Sequence, residues 1–188
     1  LVSRINLIPE VAAVELNISC PNVRGKNSLI AQDAEATYQI VQEVRKRTDK
    51  VLITKLSPNV TSIGEIAESA EKAGSDAISL INTLGGMSID VQQRKPKISA
   101  GIAGLSGPAI RPVAVRMVWE VFNKVKIPVI GMGGITDVPS ALEFIIAGAT
   151  AVSVGTANFI NPKISLAIVS GLKEYLVSNK IADIQELV

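Results

Sequence analysis

The segment that decides the fold is PVIGMGGITDVPSALEFIIAGATAVSVGT, from Pro128 to Thr156. It begins with a short apolar run, Pro128 to Ile130, and passes through glycines into apolar residues at helical spacing. Asp137 is a typical N-cap residue and Gly148 a typical residue beyond a helix C-terminus, so they mark the ends of one predicted helix. A second apolar run, Ala151 to Val154, follows directly. The segment therefore predicts a βαβ unit with parallel strands.

The same alternation extends toward the N-terminus. Three further apolar runs, each followed by a helical pattern, are Ala13 to Ile18, Val51 to Leu56 and Ala77 to Ile81. They are nearly continuous rather than alternating, as in parallel strands that helices cover on both faces. Five strands, each followed by a helix, predict an α/β fold with a parallel sheet, either doubly wound or a (β/α)8 barrel.

Several helix boundaries and buried positions follow from the pattern. Ser62 and Glu65 match a capping box, and Asp33 is a candidate N-cap. Phe122 and Ile146 fall on apolar stripes that we expect to face the core.

One connection, from Asn82 to Gly107, is much longer than an ordinary βα loop and lacks helical periodicity. We expect a lid or an inserted hairpin here, with Ile89 to Val91 and Lys97 to Ser99 as its strands. The connection also carries a small basic group, which is either a solvated face or a docking surface for a partner: Arg94, Lys95 and Lys97.

Composition excludes several classes of protein. With 188 residues, 47% of them hydrophobic and a net charge of +2, the chain is not disordered. It has no dense basic cluster and only six aromatic residues, so nucleic-acid binding is not expected. Its apolar runs are shorter than the ~20 residues that cross a membrane. Because it has one cysteine and no histidine, we expect no internal disulfide and no metal site, and proton chemistry falls to Cys, Lys, Asp, Glu or Tyr.

Glycines follow the last two predicted strands, at Gly131 to Gly134 and at Gly155, which precedes Thr156. Such loops let backbone N–H groups approach a phosphate, and Gly107 offers another close approach. The alternative is that these glycines only make tight turns. Because neither loop matches a dinucleotide or triphosphate motif, a monophosphate group is the favoured ligand.

The only thiol lies in the segment Asn17 to Asn22, which follows the first predicted strand. A lone cysteine is most often a buried structural residue. Cys20, however, comes after the strand, beside proline and between amides, where a core residue would be unusual. A thiol with a pKa of ~8.5 can act as a base near neutral or mildly alkaline pH.

Lys55 ends an otherwise apolar strand at the predicted active edge of the sheet. A ligand anion is a natural partner for this ammonium, although a lysine stem can also pack while its ammonium reaches solvent. Asn82 and Thr83 end the next strand and offer neutral donors and acceptors. Taken alone, they are also compatible with an ordinary turn.

Together, these residues make the chain resemble the dihydroorotate dehydrogenases, flavin enzymes of pyrimidine synthesis. The match runs from about Val14 to the C-terminus. The Asn82-Thr83-Leu84 and Ser106 to Ile110 variants look like the NAD-linked class, in which an iron–sulfur and FAD subunit accepts the electrons. The segments that carry the resemblance are Glu15 to Val23, Thr54 to Pro58, Ile81 to Leu84, Gly86-Met87, Ile89-Asp90, Gly104 to Ile110, Pro128 to Ile135 and Val154 to Thr156.

The resemblance implies an FMN-bearing (β/α)8 barrel that oxidises dihydroorotate to orotate in de novo UMP synthesis. By its motif Cys20 would be the catalytic base, removing a proton from the carbon next to a carbonyl, while a hydride passes to FMN. Lys55 and Ile81 would lie at the flavin ring, and Asn17 would contact flavin and substrate. The other implied substrate positions are Asn22 (in a mobile loop), Asn82 and Thr83. The positions implied to bind FMN, mainly its ribityl phosphate, are Gly107, Gly133, Gly134, Gly155 and Thr156.

The family's barrel has eight strands, and five are visible in this sequence. We therefore expect residues 1–188 to be the C-terminal portion of a single FMN-binding barrel domain, with a lid at about 83–106. As a fragment, we expect it to be inactive alone. The resemblance also implies a homodimer, a partner subunit carrying FAD and a 2Fe–2S cluster, and NAD as the final acceptor. Because no signal-peptide pattern is present, we expect a cytoplasmic protein.

Other functions remain open at this point. A fumarate-linked dihydroorotate dehydrogenase and the pyrimidine-reducing FMN barrels share most of these motifs. A non-enzymatic alternative is a truncated barrel that keeps only a phosphate site or an interaction surface. A non-flavin phosphate barrel would keep both glycine loops but has no reason to keep Cys20 among asparagines.

Overall fold

The computed structural model describes residues 1–19 and 30–188. The strands are β1 (Ala13–Asn17), β2 (Val51–Lys55), β3 (Ala77–Leu80), β4 (Leu84–Gly86), β5 (Ile89–Asp90), β6 (Lys95–Pro96), β7 (Ala103–Leu105), β8 (Val129–Met132) and β9 (Ala151–Ser153). The helices are α1 (Val2–Ile5), α2 (Ala34–Arg45), α3 (Ile63–Lys72), α4 (Arg111–Phe122), α5 (Val138–Ile146) and α6 (Ile164–Ser178). All five predicted strands of the main sheet are present.

The main sheet has five strands in the order β1-β2-β3-β8-β9, and every neighbouring pair is parallel. The register brings Lys55 of β2 beside Asn17 of β1 and Ser79 of β3. Because all five strands run in one direction, the loops after them meet at a single edge. The prediction of a parallel α/β fold is confirmed.

The hydrophobic core lies between this sheet and its helices. Ile63, Ile66 and Ala67 of α3 are buried, and Phe144 of α5 is completely inaccessible to solvent. Burial of one such aromatic side chain contributes about 1.5–3 kcal/mol to folding. Packing of these apolar faces holds the helices against the sheet, and it thereby positions the loops that follow the strands.

Two of the three predicted N-cap residues form capping hydrogen bonds in the structure. Asp33 accepts a hydrogen bond from the backbone N–H of Ala36 at 2.7 Å, and Asp137 accepts one from Ser140 at 2.9 Å. The capping box at Ser62 is wrong: α3 begins after Ser62, but the serine side chain makes no capping bond. Burial of the apolar face of α3 is sufficient to set its start without that bond.

Two residues predicted to face the core are instead exposed. Phe122 is 43% and Ile146 54% exposed. Phe122 ends α4, and its ring covers the backbone of Gly148, where an added Cβ would come within 2.6 Å of ring atoms. The apolar stripes of α4 and α5 therefore continue past the core onto the surface.

The long connection forms two small antiparallel ladders rather than a helix. β4 pairs with β7, and β5 pairs with β6 through Ile89 opposite Pro96 and Asp90 opposite Lys95. The inserted hairpin is therefore present. Its second strand comes two residues earlier than predicted and includes Pro96, which is tolerated because the ladder has only two residues per strand.

Across residues 1–19 and 30–188, none of the helices has the length and apolar character needed to cross a membrane.

Candidate active site at the carboxyl edge of the sheet

A cleft opens at the carboxyl ends of β2, β3, β8 and β9, with an empty volume of ≈ 760 Å³ that includes the solvent-open mouth. Of the twelve residues predicted for the site, nine line this cleft: Lys55, Ile81, Asn82, Thr83, Gly107, Gly133, Gly134, Gly155 and Thr156. Cys20 and Asn22 lie outside the described residues. The remaining residue, Asn17, ends β1 and reaches the cleft through a hydrogen-bond network. Residues far apart in sequence thus meet at one edge.

The glycine side of the cleft is built by close backbone packing. Gly107, Gly133 and Gly134 have φ angles of +87°, +135° and +79°, a region that side chains disfavour. A Cβ on Gly134 would lie 2.8 Å from the carbonyl oxygen of Gly107 and 2.9 Å from Cβ of Arg111. The loop after β8 therefore packs directly against the loop that leads into α4.

The loop after β9 completes this side. An added Cβ on Gly155 would meet nothing within 4 Å, so its backbone faces open space. The Thr156 hydroxyl donates to the Ser106 hydroxyl at 3.1 Å, which joins this loop to the residues before Gly107. Glycine backbone and hydroxyl groups converge here, an arrangement suited to a phosphate.

Within residues 1–19 and 30–188, Lys55 carries the only charged side chain that lines the cleft. The ion pairs formed within the described part of the chain do not involve it. The nearby Arg111 is paired with Glu143 at 3.4 Å, away from the lining. The described lining of the cleft thus presents one cation and no carboxylate, an electrostatic character that favours an anionic ligand.

The polar side of the cleft contains a network around Ser19, which is 3% exposed. The Ser19 hydroxyl donates to Oδ1 of Asn17 at 2.8 Å, and Nδ2 of Asn82 donates to the Ser19 hydroxyl at 3.1 Å. Oδ1 of Asn82 accepts from the backbone N–H of Thr83 at 2.7 Å. Three of the predicted substrate-binding positions are therefore connected.

Behind this network, the strands contribute a second polar contact. The hydroxyl of Ser79, which is fully buried, donates to Oε1 of Glu15 at 2.5 Å. Ser79 lies beside Lys55 in the sheet register. The contact joins β1 to β3 across β2, the strand that carries Lys55.

Sequence reasoning missed several members of the site. Ser106, Met132 and Ser153 also line the cleft, and Ser19 joins Asn17 to Asn82. Met132 and Ser153 are the last residues of β8 and β9, so their position at the strand ends could have indicated them. Ser19 also follows a strand, but nothing in the sequence links it to its partner Asn82, which is 63 residues away.

A parallel sheet whose strands lie side by side in chain order, with glycine loops and polar residues at their carboxyl ends, has the arrangement of the (β/α)-barrel class. A solved structure agrees: the chain superposes on dihydroorotate dehydrogenase from Eimeria tenella, determined in complex with ferulenol, with a TM-score of 0.77. The match has 21% identity and covers 94% of this chain and 53% of that one, so it concerns the fold alone. It supports a partial barrel, as predicted.

The chain belongs to the dihydroorotate dehydrogenase family, whose family model matches residues 1–176. The catalytic subunits of dihydroorotate dehydrogenase B (NAD(+)) from Geotalea uraniireducens and Geobacter sulfurreducens are each 53% identical to it over 188 residues. These matches cover 100% of this chain and 62% of each relative, so the chain spans less than two thirds of the relatives' length. The resemblance predicted from the motifs is confirmed.

Proposed function

We propose that the protein containing this chain oxidises dihydroorotate to orotate with FMN, as the catalytic subunit of an NAD-linked dihydroorotate dehydrogenase. The observation that carries the proposal is the convergence of nine motif residues on one cleft, where Lys55 is the only charged residue of the described lining. The names of the 53% identical relatives support the same reaction.

Two features of the cleft support FMN as its ligand. At Gly134 an added Cβ would collide with neighbouring backbone, so the loop there is closely packed. At Gly155 an added Cβ would project into open space, so the backbone there is exposed to the cleft. These loops, with Gly107, Gly133 and Thr156, would hold the phosphate, and Lys55 and Ile81 would border the ring. When bound, FMN supplies a two-electron acceptor for the hydride of the substrate.

The remaining chemistry belongs to side chains of this chain. Cys20 Sγ would remove the proton from the carbon next to the substrate carbonyl. Asn17, Asn22, Asn82 and Thr83 would bind the imide and carbonyl groups of the ring, because amides and hydroxyls both donate and accept. The Lys55 ammonium would stabilise negative charge that develops during the oxidation.

The working enzyme would be larger than the described sheet. We infer that residues 1–188 form the C-terminal portion of one FMN-binding barrel, with residues 83–106 as its lid, and that the 188-residue chain alone is inactive. β1 and β9, which end the strand order, would pair with further strands that close the barrel. A homodimer with a partner subunit carrying FAD and a 2Fe–2S cluster, in the cytoplasm, completes the proposal.

The test uses the full-length protein, purified with and without its partner subunit. We expect a yellow protein that reduces NAD with dihydroorotate only when the partner is present. Fumarate reduction without the partner would favour the fumarate-linked alternative, and reduction of a pyrimidine by a nicotinamide cofactor would favour the pyrimidine-reducing enzymes. A colourless full-length protein would refute the flavin proposal.

The Cys20→Ser variant tests the assignment of the base. A serine hydroxyl is far less acidic than a thiol, so its deprotonated, basic form is scarce at neutral pH; we therefore expect most activity to be lost at neutral pH and part of it to return at high pH. The measurement is dihydroorotate oxidation against pH, with flavin content as the control for folding. Unchanged rates across the pH range would remove Cys20 from the mechanism.

A further inference from the structure

We propose that Ser19 is a positioning residue that sets which way the Asn17 and Asn82 amides face in the cleft. What the two amides bind rests on the proposed function, whereas their orientation rests on contacts within the chain. Ser19 is 3% exposed and bonds to both asparagines through its backbone and its hydroxyl.

The backbone of Ser19 shows which way each amide faces, because its groups act in only one direction, and the hydroxyl is the side-chain group that holds both amides that way. Its N–H can only donate, and it lies 3.2 Å from Oδ1 of Asn17, so the oxygen of that amide faces Ser19. Its carbonyl can only accept, and it lies 2.9 Å from Nδ2 of Asn82, so the nitrogen of that amide faces Ser19. Reversing either amide would set donor against donor or acceptor against acceptor.

The hydroxyl of Ser19 links the two amides in the same sense. It has one hydrogen, which it donates to Oδ1 of Asn17 at 2.8 Å, and it accepts from Nδ2 of Asn82 at 3.1 Å. The bonds therefore run in one direction, from Asn82 through Ser19 to Asn17. Each of these bonds has its own hydrogen, because Nδ2 of Asn82 carries two hydrogens and the Ser19 hydroxyl carries one. The arrangement is therefore internally consistent.

The orientation has a chemical consequence for the ligand. The Asn17 oxygen is committed to Ser19, so the side of Asn17 turned away from Ser19 presents the two N–H donors of Nδ2. Asn82 has Nδ2 turned to Ser19 and Oδ1 bonded to Thr83, so its amide holds the loop. Asn17 is thus set to bind an oxygen acceptor, such as a carbonyl or carboxylate oxygen of dihydroorotate.

The test measures Ser19→Ala against a matched control in the full-length protein. Ser75 is 5% exposed, and its hydroxyl bonds to Thr54 rather than to any predicted site residue. Ser75→Ala therefore removes an equally buried hydroxyl outside the network. We expect Ser19→Ala to raise the orotate Kd and the dihydroorotate KM about tenfold, with a smaller change in kcat, while Ser75→Ala leaves Kd and KM unchanged.

A second measurement separates positioning from general loosening. In a background carrying Asn17→Ala and Asn82→Ala, Ser19→Ala should add less than a twofold change in orotate Kd, because nothing is left to orient. Ser19→Thr, which keeps the hydroxyl, should retain an orotate Kd close to that of the unmodified protein. A tenfold change that persists in the doubly substituted background, or no change in Kd from Ser19→Ala, would overturn the proposal.

Failure of the proposed function would be recognised separately. If the unmodified protein neither oxidises dihydroorotate nor binds orotate, the proposed function is wrong, and the amide orientations are then tested directly. Crystal structures of the unmodified and Ser19→Ala proteins should differ in the Asn17 or Asn82 side-chain position. Unchanged side chains in Ser19→Ala would refute the role of the hydroxyl.

Discussion

Substitution of Gly134 by alanine should both destabilise the protein and damage its glycine loops. The φ angle of +79° costs an L-residue about 1–2 kcal/mol. The new Cβ would lie 2.8 Å from the Gly107 carbonyl oxygen and 2.9 Å from Cβ of Arg111, so backbone must move, at a further cost of about 1–3 kcal/mol. We expect the unfolding free energy to fall by about 2–5 kcal/mol.

The matched control for this change is Gly85→Ala. Gly85 has no positive φ, and an added Cβ would make only ordinary contacts, 3.6 Å from Oδ1 of Asn59 and 3.9 Å from Cγ2 of Ile102. Gly85→Ala therefore involves neither an unfavourable φ angle nor a collision, and we expect its unfolding free energy to change by no more than about 0.5 kcal/mol.

Equilibrium urea unfolding of the full-length protein measures both variants, and flavin absorbance reports whether the loops still hold a cofactor. We expect Gly134→Ala to unfold at clearly lower urea and to be purified with less flavin, because the Gly107 loop is displaced. If Gly134→Ala and Gly85→Ala unfold at the same urea concentration, the inferred packing of the two loops is wrong.

Three further predictions concern the scaffold around the cleft. Asn59→Ala should speed amide hydrogen exchange at Gly85 without lowering the melting temperature by more than a few degrees, because Asn59 Oδ1 accepts from that N–H at 2.9 Å; unchanged exchange would contradict this. Phe144→Ala should lower the free energy of unfolding, measured in urea, by about 3–5 kcal/mol, because the ring is completely buried. A decrease of less than about 1 kcal/mol would contradict this prediction. Asp137→Ala should cost about 1 kcal/mol at pH 7 by removing a capping box. Hydrogen bonds from Ser140 lower the pKa of Asp137 from 3.8, so the cap's contribution to stability is present above pH 3.8 and is lost as pH falls through the lowered pKa. A stability difference between Asp137→Ala and the unmodified protein that does not shrink as pH falls below 3.8 would refute this account.

The sequence predicted the sheet well because its five strands are short, nearly continuous apolar runs. β3 is buried at every position, so its residues Ala77 to Leu80 had to be apolar or small, and the pattern was readable. The helix surfaces were less predictable. Phe122 and Ile146 continue an apolar stripe, and periodicity alone does not show where the core stops covering it.

Most of the site residues that could be predicted share one property: they end or follow a strand of the parallel sheet. That topology brings Lys55, Asn82, Gly133 and Gly155 to one edge whatever their distance in sequence.

Ser19 could not be found in this way, although it too follows a strand. Its importance lies in two contacts of opposite sense, donation to Asn17 and acceptance from Asn82, and the second joins residues 63 positions apart. A small hydroxyl has no distinctive spacing or charge, so only the three-dimensional arrangement reveals which groups it orients. Groups that bind a ligand leave a pattern in the sequence because their chemistry restricts residue type. Groups that orient the ligand-binding residues are defined by the direction of their hydrogen bonds, which exists only in the folded chain.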